Sequence, residues 1–397
     1  MSEELEAASI AIAHEWLTEW GGSEDVSRLM LQCLPGASLS ATIDFLTPAN
    51  RVRLGATNIQ TTFLQRAPLI EKRFWNYLPL TPLAIESLDL RAAQLIVSNS
   101  HAFAKGVLTT AEQLHISYVQ SPMRYAWDLH FQYLADYRLD RGLKGMLARY
   151  MFHRLRQWDR QSAHNVDLFL ANSNHVRRRI WRAYRRPSRV MYPPVRVDQF
   201  TPQLQKDDVY VTVSRLVSYK KVGLIVDAFA TMPSRKLVVI GSGPELAAMQ
   251  ARCPSNVTLM GWQPDEVVQR QMASAKAFIF AAHEDFGISP VEAQACGTPV
   301  IAYGVGGATE TVRDVQLTTD PTGLLFPHQT SAAIVAAVED FEKLSDRIRP
   351  EHCRAWAEGF SEARFKQEFT AFVNEAWGHW QQDPQSLELA MRMHSNA

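Results

Sequence analysis

Glu284 and Glu292 stand eight residues apart in the stretch HEDFGISPVE, with a glycine and a proline between them and no lysine to pair with either. On one continuous helix that spacing would bring both carboxylates onto one face, since ~3.6 residues make a turn. Pro290 argues against a single helix, because proline belongs in a helix's first turn. The residues therefore predict a loop holding Glu284, then a helix opening near Ser289-Pro290 with Glu292 in its first turn. Both carboxylates would sit at a helix N-terminus, aimed at whatever binds there. Arg215 and Lys220 are the cations to set beside them, with Lys221 following in the same loop. Two cations in a loop usually mean a solvated surface, yet facing a glycine-rich helix start they could neutralise a diphosphate.

The elements that must position these groups can be read from apolar runs. In the first half, strands are expected at 9–13, 38–43, 95–98, 116–119, 167–171 and 188–191, with helices at 23–33 and about 143–164. In the second half, strands are expected at 209–213, 237–240, 257–260, 277–280, 300–302 and 324–326, with helical segments of ten or so residues between them. Strand–helix alternation with continuous apolar strands predicts buried parallel sheets. The expected organisation is an N-terminal doubly wound α/β domain over 1–195, a linker over 196–208 and a second such domain over 209–375. Residues 376–397 would form a final helix or tail that can cross back to the first domain. Ligands of such folds bind at the carboxyl ends of the strands. There the chain places Gly21-Gly22, Gly241-Ser242-Gly243 and the run GVGGAT, with Gly306 and Gly307, as turns whose backbone N–H groups suit phosphate. Gly241-x-Gly243 lacks the third glycine and the acidic residue of a dinucleotide fingerprint.

Length and composition bound the answer. At 397 residues, 46% hydrophobic and 21% charged, the chain suits two soluble domains. The net charge of zero is unevenly spread: residues 138–190 hold thirteen arginines and one lysine against three acids, a net of +11. Such a lopsided surface points to an anionic partner. No motif supports nucleic acid. Four dispersed cysteines form no metal or redox spacing, which predicts a reduced, intracellular protein. The acidic start is unlike a signal peptide, and no apolar run approaches the ~20 residues of a membrane span. The expected location is the cytoplasm, with a peripheral place on the inner face of the plasma membrane as an extension. Within the basic segment, Leu143, Leu147, Tyr150, Met151, Leu155 and Trp158 make an apolar stripe at helical spacing, flanked by arginines. It reads either as a core-packing helix or as an interfacial helix on anionic lipid.

Taken in order on successive α/β units, Arg215 with Lys220, Glu284 with Glu292, and Gly306-Gly307 before Glu310 resemble the family-4 retaining glycosyltransferases of GT-B fold. The stretches SRLVSYKKVGLIVDAF, EDFGISPVEAQACGTPVIAYGVGGATETV and PTGLLFP carry that resemblance in the second half. HEWLTEWGGSE, SNSHAFAKGV, SYVQSPMRYAWDL and YPPV look like the bacterial subgroup making O-antigen and exopolysaccharide. The resemblance implies two Rossmann-like domains facing across a cleft, and transfer of a hexose from a nucleoside-diphosphate sugar to a glycan or polyprenyl-diphosphate-linked acceptor. The subgroup leans towards mannose from GDP-mannose, with a UDP-sugar such as UDP-glucose as the alternative. It implies that Glu292 binds the ribose hydroxyls and that Glu284 contacts the transferred sugar beside the anomeric carbon. Arg215 and Lys220 would hold the diphosphate. Phe286, Gly287 and Ile288 would line the donor, and backbone amides near Gly306-Gly307 and Gly21-Gly22 would cradle it. Lys221 and Glu310 are supporting candidates. Glu284 as a covalent nucleophile, as in retaining glycosidases, is the less favoured reading.

The chain contains no Asp-x-Asp, with which many glycosyltransferases hold a metal, so metal independence and no cofactor are expected. One residue departs from the subgroup's pattern. Gln120 stands where histidine usually precedes [ST]PMRYAWD, and glutamine cannot transfer a proton at neutral pH. That keeps open a catalytically silent sugar-nucleotide or glycan-binding protein. His14 and His101, at other strand ends of the first domain, are candidates for acceptor or donor contact, although a lone histidine is more often structural.

Overall fold

The computed structural model describes residues 2–385 apart from 57, together with 387. The chain divides into two units: one comprises the chain up to Pro193 plus the chain from Phe365 onward, the other Pro194–Arg364.

The first unit is built on a parallel sheet of β1 (Ile10–His14), β2 (Ser38–Ala41), β3 (Ile59–Thr61), β4 (Leu95–Ser100), β5 (Leu114–Val119), β6 (Leu168–Ala171) and β7 (Arg189–Val190). Their order is β3-β2-β1-β4-β5-β6-β7. The central strands β1, β4 and β5 are buried at every residue, as a parallel sheet covered on both faces requires. Each strand that the sequence marks in this half is present. The edge strand β3 was not expected, because its Ile-Gln-Thr is only half-buried or exposed and offers no apolar run.

The second unit repeats the architecture with β8 (Asp207–Val213), β9 (Lys236–Ile240), β10 (Val257–Gly261), β11 (Ala275–Phe280), β12 (Val300–Tyr303) and β13 (Gly323–Phe326). These are parallel in the order β10-β9-β8-β11-β12-β13. In both sheets the order reverses beside the first strand, between β1 and β4 and between β8 and β11. At such a switch point the connecting loops part and leave a crevice for a ligand.

Two boundaries differ from the sequence reading. Residues 196–208 are not a free linker but part of the second unit. Val197–Gln199 form a 3-10 turn, Phe200 is buried, and Arg354 Nη1 donates to the carbonyls of Val197 (3.0 Å) and Phe200 (2.7 Å). The second boundary falls at Phe365 instead of 375, because Glu362–Gln382 is one helix. Its Phe365, Phe369, Phe372, Val373, Ala376 and Trp377 are buried in the first unit's core with Leu5, Met30 and Tyr118. Each large apolar side chain so buried contributes roughly 1.5–3 kcal/mol, which is reason enough for the helix to belong to that core. Of the 376–397 segment, 386 and 388–397 lie outside the described residues.

Candidate functional site

In the second unit the residues singled out for chemistry gather along the carboxyl edge of the sheet. Arg215 and Lys220 lie in the loop after β8, and Glu284 lies in the loop after β11. Glu292 lies on the following helix, Ile288–Ala295. That helix opens one residue earlier than Ser289, so Pro290 is its third residue and Glu292 its fifth, just past the first turn. Proline is tolerated there because the first N–H groups of a helix have no intrahelical partner. Gly287 precedes the helix at φ 89°, left-handed backbone that glycine adopts without strain.

Lys220 Nζ forms an ion pair with Glu284 Oε1, the two side chains being 21% and 15% exposed. The pair ties the β8 loop to the β11 loop. Lys221 adopts φ 56° at the start of the helix Val222–Ala230, a conformation costing a non-glycine residue roughly 1–2 kcal/mol. Such strain concentrates at functional loops. The Glu284 loop is held from its other side by Gly306 and Gly307. The Gly307 N–H donates to the Glu284 carbonyl at 2.8 Å, and a Cβ on Gly307 would overlap the backbone of Phe286. The Gly307 amide is thus already engaged. These glycines allow one loop to lie directly on another, and the Gly307 amide serves that contact. Phe286 is also turned inward, its ring 5.5 Å from that of Phe360, so its side chain belongs to the core. Glu310 lies in the short helix Ala308–Thr311.

Beside this cluster is a cavity of about 320 Å³ lined by Arg196, Ser214, Arg215, Gly241, Ser242, Trp262, Ser289 and Glu292, among others. Its size is at the lower end of small-molecule sites. Trp262 is 72% exposed and offers an aromatic face at the end of β10. A Cβ on Gly241 would overlap the Ser214 carbonyl, and the Leu216 N–H donates to Ser242 O at 2.9 Å. The Gly-x-Gly turn therefore lets the loops after β8 and β9 pack together and fixes Arg215 at the rim. Arg215 and Glu292 line this cavity, whereas Lys220 and Glu284 form the neighbouring ion pair. Sequence reasoning missed Arg196, in a stretch read as linker, and Trp262, an exposed tryptophan just after a strand. Among the described residues no group of three or more His, Cys, Asp or Glu is placed to hold a metal ion.

The first unit holds a second polar cluster where β1, β4 and β5 end, and it joins His14, Gly21-Gly22, His101 and Gln120. Gly21 caps the helix Gly22–Cys33. His14 is fully buried; its Nε2 lies 3.3 Å from Glu24 Oε1 and its Nδ1 2.9 Å from Ser27 Oγ. The carboxylate can only accept, so Nε2 carries the proton and Nδ1 accepts from the serine. Burial pushes the Glu24 carboxyl up, but the hydrogen bond from His14 and the field of that ring outweigh it and hold the group below its ordinary range. Asn99 Nδ2 donates to the Ser23 carbonyl (2.8 Å) and to Ser27 Oγ (2.9 Å), and Asn99 Oδ1 accepts from Gln120 Nε2 (3.1 Å).

Glu15, next to His14, belongs to no motif that would single it out. It is fully buried and accepts from the backbone amides of His101, Ala102, Phe103 and Ala104 and from Ser100 Oγ, all at 2.7–3.0 Å. Burial again opposes the charge, yet the field of His101 and the amides hold this carboxyl below its ordinary range. A single carboxylate thereby shapes the whole His101 loop, and the His101 ring packs edge-on against Trp16 at 4.5 Å.

Residues 197–359 match the family described as "Glycosyl transferases group 1". Among curated proteins, the chain is 32% identical over 129 residues to a 2-deoxystreptamine N-acetyl-D-glucosaminyltransferase of Streptomyces fradiae, a match spanning 31% of this chain and 30% of that protein. It is 34% identical over 152 residues to a D-inositol 3-phosphate glycosyltransferase of Mycobacterium sp. (strain JLS), spanning 32% of this chain and 35% of that one. The chain thus covers about a third of the length of these relatives. Solved structures match far more of it. Anabaena HepE in complex with UDP and glucose superposes with a TM-score of 0.68 at 17% identity, over 92% of this chain and 99% of that one. A sucrose-phosphate synthase from Thermosynechococcus elongatus gives 0.69 at 16%, over 94% and 99%. Two parallel-sheet α/β units in this arrangement of strands are the GT-B fold, and the match to the group 1 glycosyl transferase family falls within the second of them.

Proposed function

We propose that the protein is a retaining glycosyltransferase that moves a hexose from a nucleoside-diphosphate sugar to a glycan or polyprenyl-diphosphate-linked acceptor. The observation that carries this is the convergence of Arg215, the Lys220–Glu284 ion pair and Glu292 on one sheet edge beside a cavity. Breaking a sugar–diphosphate bond builds negative charge on the leaving phosphate, and fixed cations stabilise it best where water is partly excluded. Arg215 and Lys220 are assigned to that charge, with no metal required. Glu292 is assigned to the ribose hydroxyls, and Glu284, held by Lys220, to the hydroxyls of the transferred sugar. Retention follows if the acceptor attacks on the face the diphosphate leaves, with that phosphate taking the proton. Gly21-Gly22 are assigned to the donor and the acceptor it meets, and His14, His101 and Gln120 to the acceptor side and the reacting sugar.

GDP-mannose is the donor favoured by the first unit's motifs. A UDP-sugar is favoured by a different observation: the Anabaena structure holds UDP and glucose, and the Streptomyces relative is an N-acetylglucosaminyltransferase. An acceptor presented at an anionic membrane surface is part of the proposal, supported by the net charge of residues 138–190.

Calorimetry with GDP, UDP, ADP and their sugar conjugates, with and without EDTA, tests the reading. Tight binding of one diphosphate and its sugar is expected, unchanged by EDTA. Glu292→Ala and Lys220→Ala should each weaken it, the latter by about 2 kcal/mol, the lower end for removing one member of a charge pair. Loss on chelation that Mg²⁺ restores would overturn the metal-independent assignment, and binding of no nucleotide would overturn the whole.

A further inference from the structure

We infer that the first two turns of the helix Gly142–Ser162 are a docking face for an anionic lipid surface. This gives residues to the membrane partner proposed above, yet its test does not require the transfer reaction. The apolar stripe read from the sequence splits in the structure. Leu155 is buried at 4% exposure, and Gly145, Asp159 and Ser162 are buried with it on the core side. Leu143, Met146, Leu147 and Tyr150 are 82%, 66%, 59% and 62% exposed. Their spacing of three, four and seven residues puts them on one face. At ~100° per residue that face lies roughly half a turn from the buried one. Four large apolar side chains on adjacent turns, all in water, are more than a soluble surface ordinarily carries.

Charge selects the occupant. Arg141, Lys144, Arg149 and Arg154 flank or interrupt the stripe, and all are exposed. The three acids of residues 138–190 do little to offset the segment's fourteen cations. Asp159 is fully buried in an ion pair with Lys105, Asp167 accepts from the His115 amide, and Asp140 lies within 3.5 Å of Arg141. An apolar stripe rimmed by cations matches the boundary between acyl chains and anionic headgroups. A second copy of this chain would bring the same positive surface against itself. Among the described residues no helix is long and apolar enough to cross a membrane, so this helix would lie in the interface.

Sedimentation of the full chain with vesicles of phosphatidylcholine alone, or with phosphatidylglycerol added, tests this. Binding to the anionic vesicles only is expected, weakened by salt. Leu143→Ser combined with Leu147→Ser leaves the charge unchanged and should cut that binding by at least about tenfold, the scale of two leucines kept in water. Thermal unfolding and nucleotide binding should stay at wild-type values, since both side chains are exposed. Anionic binding untouched by the double variant would overturn the assignment, leaving the cations alone responsible. So would no vesicle binding together with self-association that the double variant abolishes, which would give the face to a second copy.

Discussion

At the scale of the residue, one backbone carbonyl sets the hydrogen-bond polarity around Gln120. The Ser23 carbonyl can only accept, so the Asn99 amide nitrogen faces it, and Asn99 Oδ1 must face Gln120. Gln120 then donates through Nε2 and keeps Oε1 as its remaining acceptor, with no hydrogen bond to it among the described residues. A neutral histidine at this position would present the same polarity: one N–H to Asn99 and one lone pair outward. The departure from the subgroup's histidine therefore preserves the pattern of donor and acceptor while removing proton transfer. Gln120→His should keep donor turnover within a few-fold of wild type. Gln120→Glu places a carboxylate against Asn99 Oδ1, acceptor to acceptor, and should cost about tenfold or more, the range for an unsatisfied polar pair. Equal turnover of the glutamate variant and wild type would remove Asn99 and Gln120 from the working site.

At the scale of the element, the strands were legible and the loop contacts were not. Apolar runs marked the central strands of both sheets, since a buried parallel strand has little choice of composition. Paired carboxylates and cations marked residues that gather on one sheet edge of the second unit for a similar reason: their types survive in the one-dimensional string. The Glu15 nest was hidden because its donors are backbone amides 86 to 89 positions away, and every residue type supplies one. The glycines of GVGGAT drew attention as phosphate-cradling turns, and their packing role, letting the Glu284 loop lie against them, needed the fold to be seen. Gly307→Ala puts a methyl group into the Phe286 backbone and should destabilise the second unit by about 1–3 kcal/mol, the usual cost of overpacking. It should also weaken nucleotide binding through the displaced Glu284. Denaturant unfolding and calorimetry on one variant check both, and wild-type values in each would contradict the packing described.

At the scale of the whole molecule, a buried histidine of the first unit sets an acid limit. His115 on β5 is fully buried; its Nδ1 lies 2.9 Å from Asn165 O and its Nε2 2.9 Å from Ser98 Oγ. Burial and the Lys105 ammonium push its pKa down to about 4 from the ordinary 6.5, against the opposing pull of the Asn165 carbonyl. A folded value below the unfolded one means the unfolded chain takes the proton first as the pH falls. Stability is therefore whole above about 6.5 and is lost progressively towards 4. The difference amounts to about 3 kcal/mol. Melting temperatures should fall across that window in the wild type, and His115→Gln should flatten the decline. A wild-type melting temperature that is constant across it would show the ring protonating freely in the fold. The sequence showed that a basic, apolar-striped helix exists here, but not which of its faces the fold covers, because periodicity fixes relative and not absolute orientation.

The helix Glu362–Gln382 also fixes the order in which the molecule can be completed. The second unit is a single continuous stretch, Pro194–Arg364, whereas the first draws on both sides of it. As the chain leaves the ribosome, sheet β8–β13 has every strand it needs before Phe365 has emerged. Leu5, Met30 and Tyr118, made far earlier, still lack the aromatic side chains that close their core. A stop codon near 360 would thus spare the strands of the second unit and cripple the core of the first. The half of the molecule synthesised first is the half that finishes folding last.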